Sequence, residues 1–537
     1  MMAGKKVVET LPSLEQTLET LRATEKRYPE GHRVAETRKA IQANERFATS
    51  RPTMDKYFGH LGSKDMFIPI YGMGNTPNGL PMCLPGYLMD ILVATSKVLC
   101  ALARRDLREK GPQLIIDRMP KGWVTEAMAD RLHEYYLTHE PDMGFDVLVY
   151  GMHSHRGMTF EEFKKTDDIL YAKLLEAQSV DTYFGWAREF IRGARLAGLA
   201  AGGHQFVWCT DAAGKVLSDE EMAREVVATL NHGFESEPQS IQFLEVDPEI
   251  QPSAQNLRFM ADAMMGGDAK RRPLILDPRD TELRGDKLFS TKQGQEREIK
   301  KVISRLVDPD LKAWIKAREA AGDAASIERL RRIFDTPALF PDLSKHLSDY
   351  YLIDKSSLTG ISLLGEVGIA PKTELLGEEH LARYRKDPSL LKRVAIKPLH
   401  GMSAKGVIVS PTLAQAESAA AQEQMLVQET IWATPLLPSV TPDIEDADVQ
   451  AGICSEARLV LQAGSPAVKH NPYGARIIAG LSRNHFQSRD PERKIKNDPR
   501  DRGWYSNMGA ILAVKAELGI KDRNDAGIGM APIYSIV

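Results

Sequence analysis

The stretch Val-Ala-Ile-Lys-Pro-Leu-His-Gly-Met-Ser-Ala-Lys-Gly-Val-Ile-Val at 394–409 narrows the choice of fold more than any other part of the chain. An apolar run ends in Lys397, a loop bounded by Gly401 and Gly406 follows, and a second apolar run restarts at once. Met-Leu-Val-Gln-Glu-Thr-Ile at 425–431 then reads as a third strand that stops at a Gln-Glu pair. Lys-Pro-Leu-His-Gly is far from the residues that make a tight hairpin turn. A lysine at the end of a strand, where the chain opens into a glycine loop, puts an ammonium at the edge of a cleft. Backbone N–H groups of the loop and the charge of Lys405 can then close over an oxyanion such as a phosphate. The competing reading is a plain hairpin with a polar turn.

At 537 residues the chain is too long for one hydrophobic core and should divide into several domains. Its 70 Lys+Arg nearly balance 73 Asp+Glu, so no net field argues for nucleic acid or an anionic membrane as a partner. Cys83, Cys100, Cys209 and Cys454 are far apart and form no C-x-x-C pair, which argues against a zinc knuckle and a disulfide framework. The beginning, Met-Met-Ala-Gly-Lys-Lys, carries no apolar signal core. Residues 86–103 are apolar, but Asp90 and Lys97 favour a buried helix over a membrane span. The expectation is a soluble, reduced, cytoplasmic protein.

Residues 13–48 read as two polar helices split by Tyr-Pro-Glu-Gly at 28–31. A Gly/Pro-rich loop over 71–88 leads into a helix from Tyr87 to Glu109. Short apolar runs at 114–116, 147–150, 206–208, 241–247 and 274–277 read as strands, with helices over 168–197 and 218–232 between them. Residues 293–335 read as charged helix, and 433–452 as a Pro-rich acidic loop. This alternation predicts an α/β (α+β) chain of sheets covered by helices. The domain reading is 1–110 (helical), 111–290 (α/β, substrate) and 291–537 (nucleotide).

Asp-Lys-Ser at 354–356, Gly-Ile-Ala-Pro-Lys-Thr at 368–373, the 394–407 stretch and Leu-Val-Gln-Glu at 426–429 together resemble the ATP-grasp superfamily. The resemblance covers roughly 350–435. It implies two α/β subdomains clamping ATP, with Lys355 and Lys397 as nucleotide lysines and Gly401–Gly406 as the phosphate loop. Gln428, Glu429 and Ile431 would form the hinge against adenine and ribose. Members of the superfamily commonly join a carboxylate to an amine, and homodimers are frequent among them.

The resemblance also implies Mg²⁺ held by an Asp and a Glu-x-Asn near the C-terminus, and no Glu-x-Asn follows Asn507. One explanation is the circularly permuted type seen in eukaryotic-type glutathione synthetase and glutathionylspermidine synthetase. Glu245-x-Asp247, at the end of an apolar run, would then supply the metal ligands, with Asp where the family has Asn. Strand periodicity would set both carboxylates on one face, although two solvated acids at a strand end fit equally. The other explanation uses Glu456 and further acids, or a degenerate site. By resemblance Arg458 faces the transferred phosphate, and Arg476, Arg483 and Asn507 lie near the acyl phosphate; Gly-Ala at 509–510 stands where the family has Gly-Gly. His153-Ser-His155 reads as a satisfied loop pair rather than a metal site. The function this implies is ATP-dependent amide or peptide bond formation from small carboxylate and amine substrates. A phosphotransferase of the same fold, or a nucleotide-binding scaffold without catalysis, are the alternatives.

Overall fold

The computed structural model describes residues 11–63, 81–118, 125–138, 143–155, 157–178, 184–198, 204–206, 218, 221, 241–251, 254–265, 268–292, 294, 296–306, 308–336, 365, 368–398, 407–422, 425–438, 452–462, 476–486 and 528–536. In chain order it begins with helices α1 (Leu14–Lys26), α2 (Glu30–Thr49) and α3 (Arg51–Ser63), strand β1 (Met82–Leu84), and helices α4 (Gly86–Lys110), α5 (Gln113–Arg118) and α6 (Glu126–Thr138). Next come β2 (Met143–Gly151), α7 (Phe160–Lys164), β3 (Leu170–Gln178), α8 (Phe184–Leu196), β4 (His204–Phe206), β5 (Ile241–Leu244), α9 (Ala254–Met265) and β6 (Ile275–Leu276). A meander β7 (Thr281–Arg284), β8 (Lys287–Ser290), β9 (Arg297–Ile299) leads to β10 (Lys301–Ser304), α10 (Asp308–Ala320) and α11 (Ala324–Asp335). The C-terminal third holds β11 (Thr373–Leu375), α12 (Glu378–Lys386), β12 (Val394–Pro398), β13 (Ile408–Val409), α13 (Leu413–Ala420), β14 (Met425–Glu429), β15 (Pro435–Leu437), β16 (Ile453–Gln462), β17 (Arg476–Phe486) and β18 (Ile528–Ile536). The chain is mixed helix and sheet, as its alternating texture implies.

Local chemistry accounts for several of these boundaries. Ser13 and Gln16 close a capping box at the start of α1, and Thr412 with Gln415 does the same for α13, each satisfying orphan N–H groups of a first turn. Helix α4 stops at Gly111, whose φ of 67° suits a residue without Cβ. Among the described residues α4 is the helix long and apolar enough to cross a membrane, and two-thirds of that apolar window is buried inside the protein. It is therefore a core helix here.

The largest sheet runs β1-β18-β17-β16-β2-β3, with β15 added on β16 and β4 on β18. Its strands come from all three of the segments divided at 110 and 290, and one apolar core extends from Leu21 to Leu459. Those divisions therefore do not separate cores. Periodicity reports which face of a strand is apolar, not which distant strand it will pair with. A second, parallel sheet runs β10-β5-β6, and a third, antiparallel one runs β11-β14-β12-β13. Helices α12 and α13 cover one face of the third sheet through Leu381, Tyr384, Ala416 and Ala419, packed on Ile396, Met425 and Val427.

Several local expectations fail: β1 and β15 lie within the stretches read as loops over 71–88 and 433–452, and three further elements differ. Residues 114–116 lie in helix α5 rather than a strand. The helix expected over 168–197 is β3 followed by α8. Leu-Tyr-Ala-Lys-Leu-Leu-Glu-Ala-Gln is good helix sequence, yet antiparallel pairing with β2 along its length overrides the propensity. The 293–335 region is helical only from Asp308, because β9 and β10 precede it.

Candidate functional site

The three strands expected around the glycine loop form as β12, β13 and β14. Alternation sorts their side chains. Ile396, Met425 and Val427 face the helices, so Ala395, Lys397, Leu426 and Gln428 share the opposite face. Lys397 is half-buried there, Cα partner to Leu426, and two residues from the position opposite Gln428. Gln428 is buried and donates from Nε2 to Thr373 Oγ1 at 2.9 Å, so its amide ties β14 to β11.

The chain then crosses from the small sheet to the large one. Glu429 N donates to Lys372 O at 2.8 Å and Thr430 N to Arg393 O at 2.9 Å. The Glu429 carboxylate, exposed, lies 3.9 Å from Lys173 Nζ on β3, and Lys173 sits 6.0 Å above the Tyr150 ring. Burial first, then Tyr171 and Glu429, push the Tyr150 phenol up to about 12, so it is neutral at physiological pH. Ile431 and Ala433 pack against Leu148, Leu175 and Cys454 of the large sheet. Thr434 fastens the crossing: its N–H donates to Val149 O at 3.2 Å, and its Oγ1 accepts from Gly151 N at 2.6 Å. Leu174 N donates to Ile369 O at 2.8 Å, a second tie between the sheets.

This crossing lies on one face of the large sheet. Val147, Val149, Ala457 and Leu459 face α4 and the main core. Asp146, Leu148, Cys454, Glu456 and Arg458 therefore point the other way, with Leu148 beside Glu456 and Asp146 beside Arg458. From the crossing outward the face changes character. It is apolar at Leu148 and Cys454, then carries the fully buried Glu456, then the Arg458–Asp146 pair. The four steps of strand from Cys454 to Arg458 span about 13 Å. Arg458 Nε donates to Asp146 Oδ1 at 2.6 Å and Nη2 donates to Oδ2, a buried two-point fork. Arg483 is the Cα partner of Glu456 on β17, and Arg476 opens that strand opposite Gln462. Lys355, Gly401, Lys405, Gly406 and Asn507 lie outside the described residues.

The proposed metal pair has a different geometry from the one its spacing implied. Strand β5 ends at Leu244, and Asp247 has a φ of 43°, so Glu245 and Asp247 do not share a strand face. Glu245 is buried 3.7 Å from Arg305 Nε and accepts from Val246 N at 3.0 Å. Asp247 Oδ1 accepts from Arg279 Nη2 at 2.6 Å, while Asp247 N donates to Asp277 Oδ2 at 2.8 Å. Asp277 also holds Arg279 Nε at 2.6 Å. Each carboxylate thus already has a guanidinium beside it, and these residues do not fit Mg²⁺ as they stand. Among the described residues no group of three His, Cys, Asp or Glu is gathered for a metal. His153 sits in its loop with Nδ1 3.3 Å from Asp168.

Sequence reasoning missed Asp146, Lys173 and Thr434. Asp146 carried a usable signal, an acid inside the apolar run Phe-Asp-Val-Leu-Val-Tyr; the other two gain meaning only from strands that meet in space.

No family model matches the chain. No curated protein matches it either. Among solved structures it is similar to a glutathione synthetase-like effector from Globodera pallida in its apo form. The identity is 12%, the match covers 82% of this chain and 96% of that one, and the TM-score is 0.43. A likeness this distant is loose in shape and silent on chemistry.

Proposed function

We propose that the chain is an ATP-dependent carboxylate–amine ligase of ATP-grasp type, acting through an acyl phosphate. One observation carries the reading: two sheets joined by the 429–434 crossing both turn from apolar near it to charged away from it. Near the crossing both are apolar or amide-bearing, through Gln428, Leu148 and Cys454; farther out one bears Lys397 and the other buried Glu456 and the Arg458–Asp146 fork. That order suits a base at the hinge and phosphates at the charged end. Glu429 and Ile431 would border the base and ribose. Lys355, Lys397 and the 401–406 loop with Lys405 would hold the phosphates.

In the reaction a carboxylate oxygen of the substrate attacks the γ-phosphorus. The bond to the ADP oxygen breaks, and an acyl phosphate forms. The positive charges of Lys397 and Arg458 counter the negative charge that spreads over the phosphoryl oxygens. Arg476 and Asn507 would orient the acyl phosphate. An amine nitrogen then attacks the acyl carbon, phosphate leaves, and the nitrogen loses a proton. Mg²⁺ would screen the nucleotide phosphates when bound; because Glu245 and Asp247 do not fit it, no step is assigned to that pair.

The test is calorimetry of Mg-ATP binding to wild type and Lys397→Ala, followed by a pooled amino-acid and amine screen read by mass spectrometry. Loss of binding in the variant, with ADP, free phosphate and an amide as products, supports the ligase. A phosphorylated product would make it a phosphotransferase. Equal binding by both proteins would place the nucleotide elsewhere, and binding without any turnover would leave a scaffold.

A further inference from the structure

We propose that the small sheet and its helices form a lobe that turns on two adjacent chain crossings, with the Lys173–Glu429 ion pair as the latch that holds it in place. The lobe has a core of its own, built from Leu381, Tyr384, Ile396, Ala416, Met425 and Val427 and distinct from the main core. The chain enters and leaves it at the same point. On the way in, Ile369 and Ala370 are still packed in the main core, and Ile369 O accepts from Leu174 N of β3. Two residues after Ala370, Lys372 O accepts from Glu429 N of β14, so Lys372 already moves with the lobe. On the way out, Thr430 N still donates to Arg393 O of the lobe, whereas Thr434 N donates to Val149 O of the large sheet. Bending is thus confined to Pro371 on one crossing and to 431–433 on the other. Two short connections side by side define one axis, and a few residues at element ends can absorb the change in dihedral angles.

The latch straddles that axis. Lys173 belongs to β3 of the large sheet, next to Leu174, and Glu429 is the last residue of β14 in the lobe. Lys173 Nζ lies 3.9 Å from the carboxylate. The ammonium also sits 6.0 Å from the centre of the Tyr150 ring, a contact within the large sheet that keeps the lysine in position whether or not the glutamate is beside it. The Glu429 side chain is 48% exposed, so water and salt reach the pair. Such an exposed pair is weak. Weakness suits a latch, because a tie that shifts a population a few-fold biases the lobe without freezing it.

The experiment uses no nucleotide, so its outcome is separate from that of the ligase reading. Leu196 on α8 and Leu375 on β11 are exposed, whereas Cys83, Cys100 and Cys454 are buried. The full chain with Leu196→Cys, Leu375→Cys and Cys209→Ser is spin-labelled, and label-to-label distances are measured by pulsed electron paramagnetic resonance. The same is done with Glu429→Gln, with Lys173→Met and with both, after a melting check. Ionic strengths of about 0.01 M and 1 M set screening lengths of about 30 Å and 3 Å. The expected result is two distances in the labelled chain, the minor one rising about two- to fivefold in either single variant. High salt should produce the same rise in the labelled chain and little further rise in the variants. The double variant should match the singles, as partners in one interaction do. Populations unchanged by either substitution and by salt, or single effects that add in the double variant, overturn the latch. One distance that stays fixed in every protein at both salts overturns the hinge as well.

Discussion

Asn44 offers a sharp test of how the N-terminal helices are joined to the rest. It is fully buried in α2 and reaches two distant elements. Its Oδ1 accepts from Cys83 N at 2.5 Å, and its Nδ2 donates to Cys83 O at 3.2 Å and to Leu436 O at 3.0 Å. One side-chain amide thus pairs with both backbone polar groups of Cys83 in the outermost strand of the large sheet and ties it to β15. Asn44→Ala strands a buried N–H, at about 1–3 kcal/mol, and takes the donor from two carbonyls, at about 1 kcal/mol each. The sum is about 3–5 kcal/mol, which over one cooperative unit of 537 residues should lower the melting temperature by roughly 3–5 °C in a scanning calorimeter. Asn44→Asp, closer in shape, should be worse at neutral pH, because its acceptor-only carboxylate faces two carbonyls. Burial raises the pKa of that new acid in the folded state, so its deficit should shrink as pH falls and the group becomes a donor. The same logic predicts that residues 111–537 alone will not unfold cooperatively, since β1, α2 and α4 are missing. Coincident melting of Asn44→Ala and wild type, or a cooperative transition in the fragment, would refute this account.

Other outcomes follow from single sites. Glu189, buried in α8, would be raised by burial, but His60, with Nε2 3.4 Å from its carboxylate, and the charges of Arg192 and Arg188 outweigh it and hold its pKa below the ordinary value. A depressed carboxyl contributes stability above its unfolded pKa and loses it as pH falls through the folded one; Glu189→Gln should therefore lower stability at neutral pH and flatten the acid loss below about pH 4, read by denaturant midpoints across pH. A Cβ at Gly185 would come within 2.4 Å of Asn256 O and 2.9 Å of Met260 N in α9, so Gly185→Ala should destabilise by about 1–3 kcal/mol. Gly59 in α3 meets nothing within 4 Å, and Gly59→Ala should stabilise by about 0.5–1 kcal/mol in the same urea titration.

Much of the local order was legible in the chain itself. The breaks at Pro29 and Gly111, the capping box at Ser13, and the apolar length of α4 each follow from short-range chemistry. So do the strands on either side of the glycine loop, because Val394, Ile396, Met425 and Val427 repeat at the spacing of a half-buried sheet. Residues 170–178 show where such reasoning ends: their intrinsic preference is helical, and only pairing with β2 makes them a strand. The site divides the same way. Lys397 and Gln428 stand in a strand-and-loop setting that neighbours a few residues away define. Asp146 and Arg458 stand 312 residues apart, and only the register of β2 against β16 turns an isolated acid and an isolated base into a buried fork. Glu245 and Asp247 show the reverse: two acids that spacing set on one face were separated by a left-handed turn and taken up by Arg305 and Arg279. Backbone preference acts over a few residues, so sequence determines it; burial and charge pairing act over ångströms, and only the tertiary structure decides which residues come that close.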